Sequence, residues 1–395
     1  MLLRDLWNTS PAHLVDKHVQ QIISFAGEGK LRDGNTTSGE FRELLSHVPS
    51  LYLKRYADEC LAKSFDQSGL ALQDVINEVG RRLGFTVSHG RYQGVSGEVG
   101  FDGLWACVDP KPHTILIEVK TTDAYRIDLE KIAGYRRALA ERQVVREEGC
   151  SFLIVVGRED TGGLEAQIRG SRHAWDMRLI SVDALLRVME LKEKVEDPTV
   201  LRKVRDILIP REFTRLDEII EIVFAAAEDV DEQASAAEPE PESETGDDED
   251  EPSLAPVAFH EACVSRISAH LGCSFLKQSK VTYSSADGQV GLVCAISKTY
   301  ENRRAEGSWF AFHPHQKEFL ESMPQGYAAF GCGSEKTIVL IPVKDLTAWL
   351  DGMNVTSKPD RMYWHVSIFR DPGGLTLHRR KHQQRIELMK YQLKP

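Results

Sequence analysis

The chain has 395 residues, 42% apolar and 28% charged, a balance that predicts two or three globular domains with sizeable cores. No apolar run reaches the roughly 18 residues that span a bilayer, and the start MLLRDLWNTSPAH lacks the basic-then-apolar order of a secretory signal. The formal net charge of −11 does not exclude a nucleic-acid partner, because residues 228–251 carry 13 acids and no base, whereas residues 257–395 carry 18 Lys/Arg against 12 Asp/Glu.

Residues 1–65 read as a helical region, with apolar spacings of three and four in PAHLVDKHVQQIISFAG and GEFRELLSHVPSLYLKRYADECLAKSF. A domain spanning 66–226 follows. It opens on SGLALQDVINEVGRRLGF, where Leu72, Val75, Ile76, Val79 and Leu83 form one stripe and Gly84 ends the helix. TVSHGRYQG, VGFDGLWACVD and HTILIEVKTT read as strands, the last two joined by the turn Asp109-Pro110-Lys111-Pro112. IDLEKIAGYRRALAERQVV is a helix, CSFLIVVGRED a buried strand, and MRLISVDALLRVMELKEKV a strand and helix. That order predicts an α/β (α+β) fold, a mixed sheet flanked by helices. Residues 227–256 are rich in Ala, Pro, Ser and Glu without aromatics, the composition of a disordered acidic linker. Residues 257–395 alternate helices with short strands, a second α+β domain for recognition or regulation. The seven cysteines stand singly with no CxxC, which fits a reduced, cytoplasmic protein.

The chemistry concentrates in HTILIEVK. Strand side chains alternate, so Glu118 and Lys120 share a face. Two charges on a strand that is otherwise apolar are costly to bury without partners. If the preceding strand is the neighbour, Asp102 meets Glu118 at one end of the sheet. Two carboxylates with water suit Mg²⁺ or Mn²⁺, and a lysine beside them can orient a water and steady charge on a pentavalent phosphorus.

Asp102, followed 16 and 18 residues later by Glu118 and Lys120 in IEVK, resembles the signature of the PD-(D/E)XK, or restriction endonuclease-like, nuclease superfamily. The resemblance covers about residues 70–191. It implies a Mg²⁺-dependent endonuclease on DNA, with Asp102 and Glu118 as metal ligands and Lys120 positioning the water. It also implies a homodimer and a role in defence against foreign DNA. Many members carry a glutamate in the first core helix; here Gln73 takes that place, and Glu98 offers an extra acid. Some carry Gln and, four residues on, Tyr in the next helix; here Lys131 and Tyr135 stand there, so only Tyr135 matches. The alternative is a nuclease fold that binds nucleic acid or a protein without turnover, and RNA remains open as substrate.

Further candidates for phosphate contact are Arg169, Arg172 and His173 in AQIRGSRHAWDMRL, and Arg379, Arg380 and Lys381 in LHRRKHQQR. The bland reading of the first is a solvated loop anchored by Trp175. Trp309, Phe310 and Phe312 in EGSWFAFHPHQ are candidates for stacking on an exposed base, although aromatics alternating along a strand are more often core residues. DGQVGLVCAISK faintly echoes the first motif, with Asp287 ahead of an apolar strand and Lys298 at its end, but it has no Glu-x-Lys.

Overall fold

A computed structural model describes residues 2–62, 65–93, 99–108, 111–121, 127–157, 162–210, 256–302, 305–357, 362–371, 373–380 and 383–394. Glu98, Lys381 and the acidic linker therefore lie outside the described residues. The chain divides into two compact units, 1–225 and 226–395.

Unit 1 begins with five helices: α1 (Leu3–Thr9), α2 (Ala12–Val15), α3 (Val19–Phe25), α4 (Thr36–Leu45) and α5 (Ser50–Ala62). Each of the two long predicted helices is split. The second breaks before Pro49, whose ring disfavours helical geometry at the residue ahead of it. Next come α6 (Ser68–Arg82), β1 (Thr86–His89), β2 (Gly103–Cys107), β3 (His113–Lys120), α7 (Leu129–Glu141) and β4 (Cys150–Val156). They are followed by α8 (Gly162–Arg169), β5 (Met177–Ser181), α9 (Val182–Lys192) and α10 (Pro198–Asp206). The strands form one sheet in the order β1-β2-β3-β4-β5. The first two pairings are antiparallel and the last two parallel.

The period of two sorts β3 between two cores. Ile115 and Ile117 join the cluster that α6 and the N-terminal helices bury, while Leu116 joins Phe152, Ile154 and Val156 under α7. The stripe Leu72, Val75, Ile76 and Val79 is fully buried and Leu83 nearly so; each such side chain is worth about 1.5–3 kcal/mol on burial. Gly84, at φ +96°, closes α6 in a conformation that favours glycine. Contact between α6 and the hairpin is close: a Cβ on Gly80 would fall 2.3 Å from the Trp105 indole.

The polar face of α6 is buried as well. Glu78 pairs with Arg82 at 2.9 Å, both almost fully enclosed. The Arg82 guanidinium also donates to the Leu45 carbonyl at 2.8 Å and to the Val48 carbonyl and the Ser50 hydroxyl. Asp74, with no exposed surface, accepts from Arg42 at 2.8 Å and from the Tyr92 hydroxyl. These bonds fasten α4, α5 and the start of the loop after β1 to α6. Removing one partner would leave an uncompensated buried charge.

Unit 2 runs α11 (Pro256–Leu271), β6 (Phe275–Lys277), β7 (Thr282–Ser285), β8 (Val290–Ser297), β9 (Tyr300–Asn302), β10 (Ala305–Phe312), α12 (Pro314–Ser322) and β11 (Gln325–Cys332). Then come β12 (Ile338–Pro342), α13 (Val343–Leu350), β13 (Val355–Ser357), β14 (Met362–Asp371), β15 (Gly374–His378) and β16 (Ile386–Glu387). One sheet has the order β12-β11-β8-β7-β6; the other is β16-β15-β14-β10-β9 with β13 beside β14. Helix α11 covers the first sheet through Phe259, Cys263 and Ile267 against Leu292 and Cys294. The opposite face, with Val293, Ala328 and Phe330, shares a core with Phe310, Phe312, Val366 and Ile368 of the second sheet and with α13. The protein is thus mixed α+β with open mixed sheets. All seven cysteines are free, and no helix among the described residues is long and apolar enough to cross a membrane.

Candidate active site

Gly103 pairs with Ile117 across the hairpin, which sets Asp102 level with Glu118. The Asp102 amide donates to the Ile117 carbonyl at 3.1 Å, and its carboxylate accepts from the Val119 amide at 2.6 Å. Its carbonyl takes three donors: the Gly90 amide at 3.0 Å, the Gln73 amide nitrogen at 3.0 Å and the Asn77 amide nitrogen at 2.9 Å. Asn77 in turn accepts from the Trp105 indole N–H at 3.0 Å. A Cβ on Gly103 would sit 2.0 Å from the Asn77 side-chain oxygen, so glycine is required for α6 to reach this carbonyl.

Gln73 is therefore a buried residue that fixes the backbone of Asp102. Asn77 does the same, and the motif reading missed it; its only sequence signal is a polar residue one turn after Gln73.

Glu118 and Lys120 share the α7 face of β3, as the alternation predicts. The Lys120 ammonium donates to Glu118 at 2.5 Å, with 36% of the lysine side chain and 15% of the glutamate side chain exposed. Burial pushes the Asp102 carboxyl up to about 7, the Glu118 charge adds to that, and the Val119 amide and Lys120 oppose it. Burial also pulls the Lys120 pKa down, but Glu118, Asp102 and Tyr135 outweigh it and the net shift is upward. Tyr135, on α7, brings its hydroxyl close to this site: a Cβ on Gly100 would meet that oxygen at 3.4 Å. The site is thus two adjacent carboxylates and one ammonium at the end of a sheet, with a phenol close by. Burial, with the Glu118 charge beside it, holds the Asp102 carboxyl above the usual carboxylate range. Hard oxygen donors of this kind fit a divalent cation. Among the described residues no group of three or more His, Cys, Asp or Glu gathers for a metal, so such an ion would rest on Asp102, Glu118 and water.

The other predicted contacts are dispersed. Arg169 ends α8, largely exposed, and pairs with Glu165 at 3.2 Å. Arg172 and the buried His173 both turn to Glu130 in the first turn of α7, at 2.5 and 3.2 Å. Trp175 does not anchor this loop in a core; it is 67% exposed. Arg379 donates to the Gln384 carbonyl and Arg380 to the Met353 carbonyl at 2.7 Å, so both guanidiniums bind their own chain.

The echo in unit 2 has a different meaning. Asp287 lies in the β7–β8 turn, where it accepts from Ser285, at the far end of the hairpin from any counterpart of Asp102. The true counterparts follow from hydrogen bonding. Gly157 donates to the Lys120 carbonyl at 3.0 Å, and Gly333 donates to the Ser297 carbonyl at 2.9 Å, each just past the parallel partner strand. Ser297 thus takes the place of Lys120, and Ala295 that of Glu118. The pairing of Thr282 with Val293 sets Lys280 level with Ala295, in the place of Asp102. The Trp309 amide of β10 reaches the Ser297 hydroxyl at 3.4 Å, so β10 covers this end of the strand.

No protein-family model matches the chain, and no curated protein is similar to it in sequence.

Proposed function

We propose that unit 1 is a Mg²⁺-dependent nuclease hydrolysing DNA phosphodiester bonds, on a restriction endonuclease-like plan. The observation that carries this reading is the meeting of Asp102 and Glu118 across the hairpin with Lys120 on the same face. The order of helix, antiparallel hairpin, helix and parallel strand supports it. Asp102 and Glu118 would hold the ion, which supplies a Lewis acid for the phosphate and lowers the pKa of water. Lys120 would orient the attacking water and stabilise the equatorial oxygens of the transition state. Gln73 and Asn77 keep the Asp102 backbone in place. Tyr135, whose hydroxyl lies close to Gly100, would offer a further hydrogen-bond donor beside the site.

Exposed Arg169, Arg172 and Trp175 offer contacts outside the centre, and a homodimer would give double-strand cleavage. A defence role accords with this chemistry. The test is plasmid cleavage with Mg²⁺, with RNA as a parallel substrate. Wild type should cut, and Glu118→Ala and Lys120→Ala should not. No cutting by wild type with Mg²⁺ or Mn²⁺ would favour a nucleic-acid-binding module without turnover.

A further inference from the structure

The second sheet of unit 2 buries one face in the core and leaves the other without an apolar partner among the described residues. The inward face carries Phe310, Phe312, Val366, Ile368, Leu375 and Leu377. On the outward face the register lays out four successive rows: Tyr363 beside Thr356, His365 beside Ala311, Trp309 beside Ser367 and His378, and Phe369 beside Gly307 and Thr376. Every row bears an aromatic or imidazole ring. Trp309, Tyr363 and Phe369 belong to none of the buried clusters and are neither fully enclosed nor fully exposed.

These rings are locked. The Trp309 indole N–H donates to His365 Nδ1 at 3.0 Å, and His365 Nε2 bonds the Thr356 hydroxyl at 2.7 Å. Trp309 packs edge-on against Tyr363 at 6.1 Å and against His365 at 5.3 Å, and Phe369 stacks on His378 at 4.2 Å. Both nitrogens of His365 are occupied, which removes it as a metal ligand. Rigid rings lose little freedom on binding a flat partner.

We propose that this outward face is a stacking platform for the unpaired bases of a single-stranded nucleic acid. Rows along a strand recur about every 6.8 Å, comparable with one nucleotide of an extended strand, and aromatic faces accept any base. Charge supports a polyanion over an acidic or neutral protein: residues 257–395 carry 18 Lys/Arg against 12 Asp/Glu. Two carboxylates lie on this face among the described residues: Asp371 is held by Arg385 at 3.0 Å and by Thr376, and Glu387, level with Thr376, is exposed, while most of the Arg385 side chain also remains exposed. The proposal deepens the nuclease reading by adding the strand state that the second unit recognises, and it rests on that reading for the polymer involved.

The experiment uses the full chain carrying Glu118→Ala, in EDTA, with a fluorescent oligothymidylate, its RNA equivalent and a duplex of equal length. The single strand should bind and quench tryptophan fluorescence, and the duplex should compete poorly with it. Trp309→Ala should weaken single-strand binding about tenfold or more, in the range of one lost stacked base, with duplex binding and the salt slope unchanged. Trp309→Phe, which keeps a ring, should retain most of the affinity. Tyr363→Ser, melting like the parent, provides a second reading should Trp309→Ala unfold. Equal affinity in folded ring variants, or preference for duplex, would overturn the platform. Cleavage by wild type without single-strand binding would sink the platform and leave the nuclease; binding without cleavage would do the reverse.

Discussion

Unit 1 and the first sheet of unit 2 are laid out alike for most of their length. Each begins with a helix, then three strands paired antiparallel, then a crossover to a parallel strand, and in each a glycine past that strand bonds the end of the central one. They part at the crossover, in three side chains and at the last pairing, which is parallel in unit 1 (β4 with β5) and antiparallel in unit 2 (β11 with β12). Unit 1 crosses by a helix and leaves Asp102, Glu118 and Lys120 at the sheet end. Unit 2 crosses by a β-hairpin and a helix, and the corresponding places hold Lys280, Ala295 and Ser297. The backbone plan is shared, so what sets the two sheet ends apart is the residues that stand at these register positions.

The largest test of this contrast is catalytic. Glu118→Ala or Lys120→Ala should lower Mg²⁺-dependent plasmid cleavage by about 10²–10³-fold or more, while Ser297→Ala in unit 2 leaves it unchanged; an effect at Ser297 would break the comparison. Next comes the buried Glu78–Arg82 pair of α6. Glu78→Ala strands Arg82 and should cost about 3–5 kcal/mol, seen calorimetrically as an earlier transition for unit 1 alone.

A third test reads pH. The Asp102 carboxyl is raised from 3.8 to about 7, so between those values the folded chain keeps a proton that the unfolded chain has shed. Stability should fall as pH rises through that window and stay low above it. Asp102→Asn should recover roughly 3–4 kcal/mol at pH 8 by order of magnitude, and added Mg²⁺ should stabilise wild type but not this variant. Smaller still is Asn77→Ala, which strips the Trp105 indole of its acceptor. It should cost about 1–3 kcal/mol and lower kcat with little change in KM.

The hairpin carrying Asp102, Glu118 and Lys120 was legible because strand alternation and a short turn settle which side chains share a face. The apolar stripe of α6 was equally plain. Gln73 and Asn77 were not legible as a clamp, because polar residues on an amphipathic helix read as its wet side; here that side is buried too, against β2 and the helices before it. The faint echo at Asp287, already discounted for its missing Glu-x-Lys, could not reveal the true counterparts of the first motif, because a linear spacing carries no register. Trp175 read as an anchor from its residue type, although its exposure is decided by how the loop after α8 turns toward Glu130. The division of Trp309 from Phe310 and Phe312 followed the period of two, but whether a layer covers each face depends on pairings distant in sequence.

The β9–β10 hairpin, Tyr300–Phe312, has a double outcome. By lying across the end of β8 it covers the sheet end that corresponds to Asp102, Glu118 and Lys120 in unit 1, and in the same stroke it contributes the strand that turns Trp309 outward.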